Sequence, residues 1–329
     1  MKQDKNLLNK NVDGADVDTS IIKIVVFGFL IVISVIIFSY FLKSLIAGST
    51  FQNMTLVSVS ALLFLSFYLL SVFFIKGLWH IDLIFFIASV GLLAVFYEHI
   101  SYVLVVTAIV VFMLLIFGYY SGRNELQNML EIKFNRVSIK SLPKAIMALA
   151  LFVGAAYYVI NGDNFIISSE NFSRALYSSN PIIKRIVPEF DLSASVEKVI
   201  NDLALKQIDG NPQMAVLPKL AKEKMSYEIA KELKNKIEKF VGVPINIDLT
   251  VNDALYSVAV EKYSQFSENG KVLVHVGFSI LMFLILIGFS WPIRWVVTIF
   301  AFLFYEILRF SGFFVLLVEG RSKEIIVLK

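Results

Sequence analysis

The sequence predicts a mainly α-helical, polytopic membrane protein with about seven spans and one small, mostly helical extracytoplasmic domain containing at least one short strand. Three observations predict this fold class. Hydrophobic residues make up 57% of the chain and charged residues only 17%, with a mean hydropathy of +0.75, whereas a soluble domain carries about 25% charged residues. Apolar runs near the roughly 20 residues that a spanning helix needs recur along the chain. A long polar segment, residues 161–271, interrupts them.

Seven apolar runs are predicted to span the bilayer. The first four form a transmembrane block over residues 21–120, the fifth follows alone, and the last two form a C-terminal hairpin over residues 272–318. The runs are residues 21–42, 54–75, 83–97, 102–120, 145–160, 272–289 and 295–318. The third and fifth runs are short, because each covers only about 24 Å of a hydrocarbon core about 30 Å thick. Ser141 and Pro143 predict the start of the fifth helix, as a capping hydroxyl followed by a first-turn proline.

Charge predicts the orientation. The loop of residues 121–144 holds five basic and two acidic side chains, and an excess of Lys and Arg is typical of cytoplasmic loops. We therefore expect a protein of the cell membrane whose N-terminal tail, residues 1–20, is cytoplasmic. The segment 161–271 is then extracytoplasmic, and the slightly basic tail of residues 319–329 is also left outside.

An alternative for the C-terminal region has six spans plus a re-entrant hairpin. The tip of that hairpin is the sequence from Glu306 to Arg309, the charged residues inside the seventh run. This arrangement returns the basic tail to the cytoplasm, where Lys and Arg are favoured. The side of the membrane that carries the tail therefore stays open at the level of the sequence.

Periodicity predicts the elements of the polar segment. Strict alternation of apolar residues over 243–251 predicts a strand, which Pro244 confines to a sheet edge or a strand start. Such a strand needs a partner, for which residues 165–168 are a candidate. Three helices are predicted from apolar residues at helical spacing: Val196, Val199, Ile200 and Leu203; Ala221, Met225, Ile229, Leu233, Ile237 and Val241; Leu255, Val258, Ala259 and Tyr263. Gly242 is the predicted C-terminal cap of the second helix.

Glu306 and Arg309 are the candidate intramembrane ion pair. They lie near the middle of the seventh run at i and i+3, so one helix brings both onto the same face. A charge at mid-bilayer costs at least about 2.5 kcal/mol, and pairing offsets that cost. In the structural interpretation, the two residues only neutralise each other. In the functional interpretation, they form half of a transport or proton-relay site.

Glu98, His99 and His275 are the candidate metal ligands. Glu98 and His99 follow the third run and His275 lies in the first turn of the sixth, so all three are predicted at the outer side. Such donors suit zinc or another divalent ion. Interfacial His and Glu are also common without metal, and no cofactor is predicted.

Composition and motifs exclude several function classes. The chain has no Cys, which excludes disulfides, thiolate metal sites and cysteine nucleophiles. It contains none of the zincin, hydrolase-elbow, P-loop or dinucleotide-binding motifs. The net charge of +4 is explained by cytoplasmic loops, so we expect no nucleic-acid partner. Oligomeric state is left open.

Three function classes remain. The sequence favours a non-catalytic anchor or assembly protein whose segment 161–271 binds another protein or an envelope component, with the lipid bilayer around its spans. The first alternative is a transporter or channel component that uses Glu306 and Arg309. The second is a membrane-embedded, metal-dependent enzyme that uses Glu98, His99 and His275.

Overall fold

The computed structural model describes residues 20–47, 51–161, 169–186, 191–211, 218–319 and 323–328. Within these ranges the chain is helical apart from one two-stranded sheet and the connecting segments. It divides into two compact units. Unit 1 comprises Met1–Asp163 together with His275–Lys329, and unit 2 comprises Asn164–Val274.

The elements follow one another in a simple order. Unit 1 contains α1 (Ile21–Ala47), α2 (Phe51–Phe74), α3 (Leu78–Ala94), α4 (Tyr102–Gln127), α5 (Phe134–Asn161) and α11 (Ser290–Phe310), with a 3-10 helix at Tyr97–His99. It ends in strands β1 (Phe314–Glu319) and β2 (Lys323–Leu328). Unit 2 contains α6 (Ser169–Ile186), α7 (Val196–Asp209), α8 (Lys219–Val241) and α9 (Val251–Ser264). The chain passes from unit 2 to unit 1 within α10 (Glu268–Gly288).

Among the described residues, five helices are long and apolar enough to cross a membrane, namely α1, α2, α4, α5 and α10. The outward sides of α1, α3 and α4 carry exposed Ile, Val, Leu and Phe side chains in successive turns. Apolar side chains around a helical bundle are stable in hydrocarbon and unstable in water. The chain is therefore a helical membrane protein, and these surfaces contact the bilayer.

Contacts along the helices fix their directions in unit 1. Gly28 packs on Ile84 in the first halves of α1 and α3, and the Ser39 hydroxyl donates a hydrogen bond to the Leu92 carbonyl (2.8 Å) in the second halves. Helices α1 and α3 are therefore parallel.

Helices α2 and α4 are parallel for the same kind of reason. The Tyr68 hydroxyl of α2 donates to the Leu115 carbonyl of α4 (3.0 Å). About one turn later on α4, the Tyr119 hydroxyl donates to the carbonyl of Ile75, which lies about two turns after Tyr68 (2.6 Å).

Helix α11 runs parallel to α2 and antiparallel to α1. The ring of Phe67 lies 5.5 Å from that of Phe304, and the ring of Phe74 at the end of α2 lies 5.0 Å from that of Phe314 just after α11. The same Phe74 ring lies 5.4 Å from that of Phe27 at the start of α1. We call the end of the bundle marked by these rings the N-terminal end, and the opposite end the far end.

Helix α5 runs in the same direction as α1 and α3. The Phe134 ring at its start stacks on Phe73 at 4.5 Å, and Phe152 in its second half lies 5.6 Å from Phe96 beyond α3. Helices α1, α3 and α5 thus leave the N-terminal end, and α2, α4 and α11 return to it.

The second half of the predicted seventh span is wrong. Helix α11 ends at Phe310, the backbone reverses at Gly312 (φ 70°), and β1 then pairs antiparallel with β2 from Phe314 opposite Leu328. The re-entrant tip proposed at Glu306 to Arg309 is not formed either, because the helix is continuous there.

The C-terminal residues lie at the N-terminal end of the bundle. The Lys23 ammonium donates a hydrogen bond to the Phe313 carbonyl at 2.5 Å and lies 4.6 Å from the centre of the Phe313 ring. The start of α1 and the end of α11 are therefore in direct contact.

The predicted hairpin over residues 272–318 is also absent. Only Phe289 separates α10 from α11, and helical hydrogen bonds continue through it: its N–H bonds to the Ile285 carbonyl, and its carbonyl accepts from Ile293. Because these helical hydrogen bonds continue through Phe289, the backbone does not reverse its direction between α10 and α11. Pro292 lies in the first turn of α11 and has no N–H to donate to Gly288, which explains a break at this point rather than a turn.

The basic loop predicted over residues 121–144 is mostly helical. Helix α4 continues to Gln127 and α5 begins at Phe134, so the connection between them is short. Pro143 lies inside α5 instead of in its first turn. The predicted start of the fifth helix is therefore wrong, and α5 at 28 residues is long enough to span.

The described part of unit 2 contains two helix pairs. Ile200 and Ala204 of α7 are buried together with Ala230 of α8. The Asn252 amide of α9 donates to the Ser173 hydroxyl of α6 at 2.7 Å. The three helices predicted from periodicity are confirmed, and Gly242 ends α8 with φ 75° as predicted. Helix α6 was not predicted.

The strand predicted over residues 243–251 is not formed. An isolated bridge joins Ser195 to Thr250, and the N–H groups of Val196 and Glu197 donate to the carbonyls of Leu249 and Ile247. The predicted partner, residues 165–168, lies outside the described residues. Ser195 and Thr250 are the N-caps of α7 and α9, so two helix starts take the place of a strand pair.

Candidate functional site

The pair of Glu306 and Arg309 forms, but at the end of a helix. The Arg309 guanidinium lies 3.6 Å from the Glu306 carboxylate, and the side chains are 54% and 29% exposed, respectively. Because α11 ends at Phe310, both residues belong to its last turn instead of the middle of a span. A cation there is favoured by the helix dipole, so the pair needs no substrate to explain it.

Glu98 is part of a charged cluster at the far end of the bundle. Its carboxylate accepts hydrogen bonds from the Lys43 ammonium (2.7 Å) and the Tyr97 hydroxyl (2.9 Å). The hydrogen bond from Lys43 lowers the pKa of the Glu98 carboxyl, and the bond from Tyr97 adds to it. Glu98 thus joins the end of α1 to the 3-10 helix after α3.

The predicted metal ligands do not form a cluster. His99 ends the 3-10 helix, Glu98 is bonded to Lys43, and His275 is buried within α10. Among the described residues, no group of three or more His, Asp and Glu side chains is arranged to hold a metal ion.

The hydroxyl groups inside the spans donate to helix backbone. Four buried or part-buried side chains bond to carbonyls at 2.7 to 2.8 Å: Ser34 to Ile31, Ser39 to Leu92, Ser71 to Tyr68 and Thr107 to Val103. The Ser66 and Ser89 hydroxyl oxygens are buried with no hydrogen-bond partner within the described structure.

A buried polar layer near the N-terminal end was missed from the sequence. Ser141 of α5 donates to the Tyr68 hydroxyl at 3.3 Å, and the Arg123 guanidinium donates to the Val72 carbonyl at 3.1 Å. The hydrogen bonds from Arg123 to the Val72 carbonyl and from Tyr119 to the Ile75 carbonyl satisfy backbone acceptors at the C-terminal end of α2. Tyr119 and Arg123 are spaced by four residues at the end of an apolar run, a pattern that would have indicated one inward helix face.

Unit 2 presents a charged helical surface to a partner. Helix α8 carries exposed lysines and glutamates, with Lys236 paired to Glu232 at 2.7 Å. Among these charges it exposes Leu220, Tyr227 and Phe240, which are 75%, 69% and 92% accessible. Large apolar side chains so exposed on a charged helix are candidates for contact with another protein.

Comparisons with known proteins give no relative. No protein-family model matches the chain, and neither a curated protein nor a solved structure is similar to it.

Proposed function

We propose that this protein is a non-catalytic membrane anchor whose inserted segment, residues 161–271, binds another protein or an envelope component. The observation that carries the proposal is the way the bundle uses its polar side chains. The Ser39, Tyr68 and Tyr119 hydroxyls and the Arg123 guanidinium donate to carbonyls of the bundle's own helices, which stabilises the bundle and leaves these four groups unsuited to bind a solute. The surface that remains for recognition is that of unit 2.

The alternating helices support a topology with both termini on one side. Helices α1 to α5 and α11 alternate in direction, so in this proposal they cross the membrane six times. Two of these six, α3 and α11, are not among the five helices that length and composition alone identify as possible spans. The basic side chains Arg123, Lys133, Arg136, Lys140 and Lys144 all lie in or next to the ends of α4 and α5 at the N-terminal end, which by the positive-inside rule is the cytoplasmic end. The basic C-terminal tail then joins them in the cytoplasm, and residues 161–271 are extracytoplasmic.

Helix α10 is the remaining apolar helix in this topology. Its side chains are largely exposed, and Gly154 in the second half of α5 approaches the Ser279 carbonyl. Because α11 starts at the far end, α10 cannot cross the bilayer and return before it. We infer that α10 contributes its apolar surface within the far leaflet, as an immersed segment and not a seventh span.

The absence of cysteine makes the topology testable. Single cysteines replace Lys133 and Ser311 at the N-terminal end, and Lys224 in unit 2. A membrane-impermeant maleimide should label Lys224→Cys in intact cells, and the other two only after the cytoplasm is opened. Labelling of Ser311→Cys in intact cells would overturn the six-crossing topology.

Partner binding is tested by photo-crosslinking in the native membrane. A benzophenone amino acid replaces Tyr227 or Phe240 in unit 2, and Phe29 on the outward face of α1 serves as the matched control. The proposal expects one and the same protein adduct from both unit 2 positions and none from Phe29. If neither unit 2 position gives an adduct, while reconstituted protein moves a solute across vesicles, the transporter alternative replaces the anchor.

A further inference from the structure

We propose that the cleft between α4 and α5 at the N-terminal end of the bundle binds an anionic phospholipid. The site, here called the cationic cleft, comprises Arg136, Lys140 and Lys144 of α5 together with Phe117 and Ser121 of α4. The proposal is independent of the partner that unit 2 binds.

Three cations form one edge of the cationic cleft. Arg136, Lys140 and Lys144 are spaced by four residues, so they project from successive turns of one side of α5 over about 12 Å. No acidic side chain of the described chain lies within 4 Å of any of them, including Glu125 one turn beyond Ser121 on α4. Unpaired cations at the boundary of a span favour negative headgroups.

Lys144 is held in a fixed position at the mouth of the cleft. Its ammonium donates to the Ser121 hydroxyl at 2.6 Å and to the Lys140 carbonyl at 3.4 Å. It also lies 4.4 Å from the centre of the Phe117 ring. An ammonium has three donors, so one remains for a phosphate oxygen.

An apolar groove continues from the ammonium along α4. It is a shallow, open depression of about 460 Å³ on the surface of α4 itself, lined by Val110, Met113, Leu114, Ile116, Phe117 and Tyr120. Phe117 belongs to both parts of the site, because its ring contacts Lys144 and lines the groove. From Val110 to Tyr120 the groove covers about 15 Å, half of a hydrocarbon core about 30 Å thick and therefore one leaflet.

The two parts together select the ligand. The three cations match an anionic headgroup at the level where the apolar part of α5 begins, and the groove matches an acyl chain that reaches the midplane. A free phosphate would use only the cations, and a zwitterionic lipid would bring the ammonium group of its headgroup close to the three basic side chains, which repel it. A phospholipid of net negative charge in this leaflet uses both.

The test uses the full-length protein purified in mild detergent. It is mixed with equal amounts of phosphatidylglycerol and phosphatidylcholine, and retained lipid is counted by native mass spectrometry. We expect phosphatidylglycerol to be retained preferentially. The double variant Lys140→Gln/Lys144→Gln should lose about 30-fold in affinity, because each cation near an anionic lipid contributes roughly fivefold.

Two further variants separate lost recognition from misfolding. Lys144→Arg keeps the charge and should keep the lipid. Lys224→Gln/Lys231→Gln removes the same charge from exposed positions of α8 and should leave binding unchanged. Equal retention of the two lipids, or an equal loss in the α8 control, would overturn the proposal.

The groove is tested by Met113→Trp, which fills it without changing charge. A severalfold loss of phosphatidylglycerol supports an acyl-chain site. If this variant binds normally while inorganic phosphate displaces the lipid, the cations bind free phosphate and the phospholipid assignment is refuted.

Discussion

Replacing Gly118 or Gly122 by alanine should destabilise the bundle through the α4–α5 contact. These glycines are spaced by four residues on α4 and face Ser141 of α5, as in the small-residue contacts that let membrane helices approach closely. A Cβ at Gly122 would lie 2.9 Å from the Ser141 Cβ and 3.0 Å from a Val72 methyl. A Cβ at Gly118 would lie 3.0 Å from the Ser141 carbonyl oxygen and would overlap the Tyr68 hydroxyl.

The magnitude follows from two opposing effects. Inserting a methyl group into a packed contact costs about 1 to 3 kcal/mol, because backbone and buried side chains must move. Alanine in place of glycine inside a helix stabilises the helix by about 1 kcal/mol, because its helix propensity is higher. A methyl group added at Gly277 or Gly288 of α10 would meet no described atom within 4 Å, so Gly277→Ala and Gly288→Ala carry the second effect alone. The difference between the two groups of variants is therefore about 1 to 3 kcal/mol, with helix propensity cancelled.

The assay is reversible unfolding of the purified protein in mixed detergent and SDS micelles, followed by circular dichroism. Gly118→Ala and Gly122→Ala should unfold at lower SDS fractions than either α10 control. If all four variants shift equally, α4 and α5 are not in close contact at these glycines, and the polar layer of Tyr68 and Ser141 does not hold the two helices together.

Three other outcomes follow from single contacts. Tyr119→Phe leaves the Ile75 carbonyl without its donor and should lower the free energy of unfolding by about 1 to 3 kcal/mol, measured in the same SDS titration. Lys43 lowers the pKa of the Glu98 carboxyl, so the ion pair stabilises the fold at pH values above the unfolded-state pKa of about 4.3. This stabilisation is lost as the pH falls and the folded carboxyl becomes protonated. The difference in the free energy of unfolding between wild type and Glu98→Gln should therefore shrink from pH 7 to pH 3. Gly242→Ala forces a Cβ into a left-handed cap and should cost about 1 kcal/mol in unit 2, seen as a lower thermal midpoint, and an unchanged midpoint would contradict the cap.

Helices whose burial is one-sided were predictable from the sequence. In α8 the middle members of the predicted apolar series, Ile229, Leu233 and Ile237, pack in the cluster shared with α7, and Gly242 ends the helix. Those features depend on local spacing and on one backbone conformation, both of which are written in the sequence. Composition alone was enough to predict a membrane protein.

The C-terminal region could not be predicted by hydropathy because apolar content does not distinguish a helix from a strand. Residues 314–318 read Phe-Val-Leu-Leu-Val and extend the seventh run without a break in hydropathy. They form β1 because Gly312 adopts φ 70° and the following residues pair with β2. The segment before β1 is also held by a contact distant in sequence, the hydrogen bond from Lys23 to the Phe313 carbonyl. Because the predicted run continued to residue 318, Glu306 and Arg309 were predicted near the middle of a span, whereas they lie near the end of α11.

The position of the ion pair on α11 favours the proposed anchor over the transporter alternative. Transport through Glu306 and Arg309 requires these charges to face a polar path at mid-membrane, with titratable partners on neighbouring spans. Instead they lie in the last turn of α11, next to Tyr305, whose ring packs against Phe74 and Phe134. Tyr305 is buried in an aromatic layer that closes this end of the bundle. An ion leaving the pair toward the far end would have to cross the apolar contacts of Ala301 and Val297, both buried. The pair is therefore better explained as the charged termination of a helix in an anchor.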